Sequence, residues 1–140
     1  MPEIAELAQP VATIGQYGLP WNADSIIPLG SLRGCNCLFV GDADPADLFV
    51  FAWLREQMPI AWHAVNDDFL VRRGNRDNVA IRISLTEAEA SAVSILPELC
   101  PDHRRLLGEY CSTLFDMGLK IEVEGALMAT DSRLGSPPNA

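Results

Sequence analysis

Two short acidic stretches hold the residues best suited to metal chemistry, and each follows an apolar run typical of a buried strand. Asp42 and Asp44 come after the first run, and Asp67 and Asp68 come after the second. Because the carboxyl ends of neighbouring parallel strands meet at one edge of a sheet, we expect these four carboxylates to lie close together. Carboxylate oxygens are ligands that Mg²⁺ prefers. The sequence therefore predicts a metal or phosphate-ligand site at this edge, and it predicts no cofactor.

The same carboxylates also have a purely structural interpretation. Asp44 stands directly before Pro45, with Asp47 three positions later, which is typical of the start of a helix. Asp67 and Asp68 are then explained as part of a turn between two strands. The sequence leaves both interpretations open.

Arginine dominates the basic residues of this chain, since Lys120 is the single lysine among 10 basic residues. Four of the arginines, Arg72, Arg73, Arg76 and Arg82, fall within 11 positions. A guanidinium group binds carboxylates and phosphates through two parallel hydrogen bonds. We therefore predict that these four residues form a partner-binding or anion-binding surface. The alternative is ion pairing with nearby aspartates across neighbouring strands.

The cysteines are interpreted as free thiols. Neither Cys35 and Cys37 nor Cys100 and Cys111 show the two-residue gap that is usual between paired zinc ligands. Without an export signal, unpaired thiols indicate a reducing compartment, which predicts a cytoplasmic location. His63 lies within a predicted strand and is interpreted as a packing residue.

Charge and hydropathy restrict the partners. A net charge of −9 argues against nucleic acid, because binding to phosphates requires basic residues that displace counterions. It also argues against membrane surfaces, and no apolar stretch approaches the roughly 20 residues of a transmembrane helix. The expected partner is a protein, and self-association into a homo-oligomer is a further expectation.

The hydrophobic pattern predicts an α/β (α+β) fold in one domain. We expect a mixed β-sheet opened by a β-α-β unit and a hairpin, with helices packed on one or both faces. Residues 1–34 are predicted to be an irregular arm packed on the core, residues 35–128 the core, and residues 129–140 a flexible tail. The predicted elements are a strand at 37–40, a helix at 45–58, strands at 60–65, 69–73 and 79–85, helices at 86–97 and 102–117, and a strand at 120–124.

No set of residues in the sequence combines a nucleophile, a base and an oxyanion donor. The preferred hypothesis is therefore a small acidic, non-catalytic protein that binds a partner, as an adaptor, inhibitor, immunity or regulatory factor. The alternative is a small enzyme, or a phosphate-ligand or Mg²⁺-binding protein, that uses the acidic strand ends. A pocket holding Asp42, Asp44 and Asp67 together would favour the alternative, whereas an arginine-rich patch would favour binding.

Overall fold

The computed structural model of the chain describes residues 36–127. The arm predicted for residues 1–34 and the tail predicted for residues 129–140 lie outside this range. Helices and short strands alternate in the described residues, which confirms the α/β class. In chain order the elements are β1 (Leu38–Val40), α1 (Pro45–Gln57), β2 (Ala61–Ala64), α2 (Asp67–Arg72), a 3-10 turn (Val79–Ile81), β3 (Arg82–Ser84), α3 (Glu87–Val93), α4 (Leu96–Leu99), α5 (His103–Leu107), α6 (Glu109–Asp116) and β4 (Leu119–Ile121), followed by helical residues 123–127.

A β-α-β unit opens the described chain, as predicted. β1 and β2 pair in parallel, and α1 makes the connection between them. The helix begins as its sequence indicates, because the Asp44 side chain accepts a hydrogen bond from the Asp47 amide at 2.8 Å and Pro45 occupies the first turn. This cap fixes where the acidic residues after β1 lie.

One face of α1 packs into an aromatic cluster. The Phe51 ring meets Phe39 and Trp62 edge-on, with centroid distances of 5.5 and 5.4 Å. Phe51 is buried, but Phe49 and Trp53 of the same helix are only half-buried. The helix is therefore less completely enclosed than its apolar composition predicts.

The strands form two two-stranded sheets instead of the one mixed sheet expected. β3 and β4 pair antiparallel, and a single bridge between Ala43 and Ile121 connects this pair to the chain that leaves β1. The physical reason is that the strand predicted at 69–73 does not exist, so nothing extends the first sheet towards β3.

The hairpin prediction is wrong because residues 67–72 form helix α2. Asn66 is its N-cap, and its side chain accepts a hydrogen bond from the Phe69 amide at 2.9 Å. Asp67 and Asp68 in the first turn add negative charge at the helix N-terminus, where it is stabilising. The stretch interpreted as a turn is therefore a helix start, and Arg72 does not lie on a strand.

Two longer helices predicted near the C-terminus are each divided. The capping box of Thr86 and Glu89 is present, but the helix it opens ends at Val93 and α4 follows separately. The helix predicted at 102–117 is interrupted at Gly108, whose φ of 90° only glycine adopts readily. This break creates a new helix N-terminus at α6, and that terminus positions the residues described below.

Gly108→Ala tests the close approach at the break between α5 and α6. A Cβ atom at Gly108 would overlap the Asp67 carboxyl group, whereas one at Gly118, which also has positive φ, would meet nothing within 4 Å. Gly118→Ala should cost only the backbone strain, about 1–2 kcal/mol. Gly108→Ala should cost roughly 2 kcal/mol more, because Asp67 must move and lose its hydrogen bonds and because φ 90° with ψ 172° is a conformation that only glycine adopts readily.

Urea denaturation of both variants measures this difference in the free energy of unfolding. Equal losses for the two substitutions would contradict the packing of Asp67 against the break.

Candidate functional site: an arginine surface and an acidic cluster

Three aspartates gather where β1 leads into α1. Carboxylate oxygens of Asp42, Asp44 and Asp47 lie within 4.8 Å of one another, and we call these residues the acidic cluster. Two of them, Asp42 and Asp44, are predicted metal ligands. Asp67 and Asp68, the other two predicted ligands, lie outside this cluster.

Each carboxylate of the acidic cluster accepts a backbone hydrogen bond. The Asp42 amide donates to Asp47 at 2.6 Å, and the Asp47 amide donates to Asp44 at 2.8 Å. Asp42 in turn accepts from the amide of Val123 at 2.8 Å, across 81 positions of sequence. The cluster thus ties the loop after β1 to the helical residues after β4. This structural role accounts for its hydrogen bonds, and metal binding there stays a prediction.

Burial makes these carboxylates hold their protons unusually well. Burial raises the pKa of Asp42 and of Asp44 to about 6, with backbone donors opposing the shift and neighbouring carboxylates reinforcing it. The pKa of Asp47 is raised for the same first reason. Charging the cluster therefore opposes folding as the pH approaches neutrality.

Asp67 serves another part of the fold. Its two carboxylate oxygens accept hydrogen bonds from the Tyr110 and Cys111 amides, each at 2.9 Å. These are amides of the first turn of α6, so the carboxylate satisfies donors that have no partner within the helix. Asp68 is exposed on α2. The structure therefore brings Asp42 and Asp44 together but uses Asp67 to hold α6.

The four predicted arginines lie along the segment from α2 to β3. Arg72 is exposed in the last turn of α2, and Arg73 ends that helix and is half-buried. Arg76 is exposed in the following loop, and Arg82 is half-buried at the start of β3. The hairpin prediction placed these arginines on two adjacent strands and in the turn between them, and the structure does not.

Tyr110 brings two of these arginines together. Arg82 donates from Nε and Nη2 to the Tyr110 hydroxyl oxygen, at 3.2 and 2.9 Å. The guanidinium carbons of Arg76 and Arg82 lie 5.9 and 5.6 Å from the centroid of the Tyr110 ring. Such cation–π contacts are favourable and keep both groups near one aromatic side chain.

Neither Arg76 nor Arg82 forms an ion pair with a carboxylate of residues 36–127. The nearby Asp67 carboxylate is occupied by amides of α6. For these two arginines, the alternative of ion pairing with nearby aspartates is therefore not realised within the described part of the chain.

A depression of about 350 Å³ adjoins Arg76. Val71 lines it and is 57 % exposed. We call Val71, Arg76, Arg82 and Tyr110 the arginine surface. The residues lining the depression are Val71, Gly74, Arg76, Asp77 and Asn78.

Cys100 and Cys111 are free thiols, as predicted, and Cys35 lies outside the described residues. Cys100 and Cys111 are buried, and burial raises the pKa of Cys100 to about 11 and raises that of Cys111 further. Both thiols stay uncharged at neutral pH, which disfavours a nucleophilic or metal-binding role. His103 is buried, with its Nδ1 atom 3.0 Å from the Cys100 carbonyl oxygen.

The contact of Tyr110 with the arginines could not be predicted from the sequence, because no local pattern connects this residue to arginines 28 or more positions away. The helix start at Asn66 was detectable, since an Asn followed by two acids before an apolar run is an N-cap signature.

No protein-family model, no curated protein and no solved structure matches this chain. Within residues 36–127, no helix has both the length and the apolar character needed to cross a membrane.

Asp44→Asn tests the electrostatics of the acidic cluster. Asparagine is an equally good N-cap, so the variant removes the ionisable group and keeps the helix start. The pKa of Asp44 is raised from 3.8 to about 6 on folding, so its stabilising contribution is complete below 3.8 and is lost as the pH rises through 6. As the pH rises from 3.8 through 6, the free energy of unfolding of the wild type should therefore fall by roughly 1–3 kcal/mol more than that of the variant.

Chemical denaturation at a series of pH values measures the effect, and Asp68→Asn is the control because that exposed carboxylate lies outside the cluster. The raised pKa of Asp44 is refuted if both variants follow the wild-type pH profile.

Proposed function

We propose that the protein is a non-catalytic binding protein that engages a protein partner through the arginine surface. Adaptors, inhibitors, immunity proteins and regulatory factors are the classes of protein that act by binding a partner without catalysis. The observation that carries the proposal is the convergence of Arg76 and Arg82 on Tyr110 without a carboxylate partner in residues 36–127.

Unused hydrogen-bond donors support an external anion at this place. A guanidinium group carries five N–H donors, and the Tyr110 hydroxyl accepts only two from Arg82. Charge-assisted hydrogen bonds to a carboxylate are among the strongest that a protein surface offers. An acidic group on a partner would therefore gain both charge neutralisation and oriented hydrogen bonds.

The alternative of an enzyme or a Mg²⁺-binding protein has weaker support. That alternative needs a pocket in which Asp42, Asp44 and Asp67 face the same ligand. Asp67 instead binds amides of α6, and the carboxylates of the acidic cluster accept backbone hydrogen bonds. The depression of about 350 Å³ adjoins Arg76, and its lining residues include none of these three aspartates. Binding through the arginine surface is therefore the preferred hypothesis.

A cytoplasmic location and self-association belong to the same proposal. The buried free thiols of Cys100 and Cys111 support a reducing compartment. Ile95, Leu99 and Met117 are 45, 55 and 60 % exposed, so large apolar side chains are available for contact with a second copy.

A paired-variant experiment tests the proposal. Arg76→Gln with Arg82→Gln removes two positive charges from the arginine surface. Arg104→Gln with Arg105→Gln removes the same charge elsewhere, from exposed arginines that pair with Asp116 and Asp102. The control variant should stay folded, since exposed ion pairs contribute about 0–1 kcal/mol. The arginine-surface variant should also stay folded, because it loses only hydrogen bonds and cation–π contacts to Tyr110, each worth about 1 kcal/mol.

Partner capture from a lysate of the native cell is then quantified over a series of salt concentrations. The arginine-surface variant should capture at least about tenfold less partner, and its remaining binding should respond less to salt. The control should behave as the wild type does. Equal capture by the two double variants would show that the partner binds elsewhere.

A further inference from the structure

Resting on the proposed function, we infer that the partner supplies an acidic peptide segment whose carboxylate binds at the Tyr110 hydroxyl between Arg76 and Arg82. An apolar side chain of the same segment covers Val71 in the adjoining depression. The arginine surface is thus a receptor for a carboxylate flanked by an apolar group.

The hydrogen bonding of Tyr110 is the first argument. A tyrosine hydroxyl has one O–H donor as well as lone pairs that accept. Its oxygen already accepts Nε and Nη2 of Arg82, at 3.2 and 2.9 Å. Among the described residues, its own O–H finds no acceptor. A carboxylate oxygen placed there would accept from the hydroxyl and lie beside the guanidinium group of Arg82, while that of Arg76 lies 5.9 Å from the centroid of the same ring.

The charge of the surroundings selects a carboxylate over a phosphate. Asp77 lines the depression together with Arg76, and the whole chain carries a net charge of −9. A phosphate carries close to two negative charges at neutral pH, so it meets more repulsion here than a singly charged carboxylate. The same repulsion disfavours nucleic acid, which requires a broad basic surface.

The apolar part of the surface favours a peptide over a small free acid. Val71 is 57 % exposed and lines the same depression as Arg76. Covering an exposed branched side chain removes apolar area from water, which is favourable in proportion to the area buried. A peptide segment with an apolar residue beside its acidic one engages both parts, whereas an isolated carboxylate leaves Val71 exposed.

Fluorescence anisotropy with synthetic peptides tests this inference on the full chain. The probe is a short labelled peptide with blocked termini that holds one glutamate beside one leucine, and the comparison peptide has glutamine in place of that glutamate. Wild-type protein should bind the glutamate peptide at least about tenfold more tightly than the glutamine peptide, because charged contacts at the rim of an interface depend on the ligand charge.

Tyr110→Phe is the most specific variant, because it removes the hydroxyl and keeps the ring that both arginines contact. It should weaken the glutamate peptide about tenfold and leave the glutamine peptide unchanged, and Val71→Ser should weaken both peptides. Arg104→Gln with Arg105→Gln should bind as the wild type does. Sodium phosphate should compete no better than sodium chloride of the same ionic strength.

The outcomes separate this inference from the proposed function. If Tyr110→Phe binds the glutamate peptide normally, or phosphate displaces it specifically, the carboxylate receptor is wrong. The proposed function would still stand if Arg76→Gln with Arg82→Gln lost its cellular partner. If that double variant kept its partner and also bound the peptide normally, both proposals would be overturned.

Discussion

The Asp67 carboxylate, bound to the first turn of α6, is the interaction on which the rest of the structure depends. Its two oxygens accept from the amides of Tyr110 and Cys111, each at 2.9 Å. A negative charge at a helix N-terminus is favoured by the exposed N–H groups and by the helix dipole. Gly108 makes this approach feasible, because any side chain there would occupy the space of the carboxyl group. One acidic residue therefore joins α2 to α6.

This junction determines where the arginine surface forms. α2 carries Val71, and the chain leaving it carries Arg76 and Arg82. α6 carries Tyr110, whose backbone amide is held by Asp67 and whose side chain meets both guanidinium groups. A structural ion–helix contact thus brings together residues that are far apart in the sequence.

Other basic residues of the described chain form ion pairs, unlike Arg76 and Arg82 of the arginine surface. Arg55 binds Asp102 through two hydrogen bonds of 2.8 and 2.6 Å, and that contact lowers the pKa of Asp102 to about 2. Arg105 binds the same carboxylate, and Lys120 binds Glu89 at 2.8 Å. In a chain with excess acid, these cations find carboxylates readily. Arg76 and Arg82 instead meet an aromatic ring, which leaves their charge available to a ligand.

Local signals in the sequence predicted local features well. The N-cap at Asp44 and the capping box at Thr86 follow from residues within one turn of each other. The parallel crossover from β1 to β2 follows from the order strand, helix, strand over a short stretch of chain. The closeness of Asp42 and Asp44 in the acidic cluster could be predicted, because the two residues lie two positions apart in the sequence. The hydrogen bond from the Val123 amide to Asp42 could not be predicted, since it spans 81 positions of sequence.

The errors arose where long-range packing decides the local conformation. The apolar residues at the start of 69–73 are compatible with a short strand. The N-cap at Asn66 and the burial of Phe69 and Leu70 favour a helix instead. The meeting of Asp67 with α6 spans 43 positions and requires a break at Gly108 that the helical pattern of 102–117 conceals. No local pattern reports such a contact.

Amide chemical-shift mapping by NMR, during titration with the glutamate and leucine peptide, tests the central claim most directly. We predict that the perturbed amides cluster at Val71, Arg76, Arg82 and Tyr110, while those of Arg104 and Arg105 stay unperturbed. Perturbation centred on α5, or on the acidic cluster, with no change at Tyr110 would contradict the assignment of function to the arginine surface.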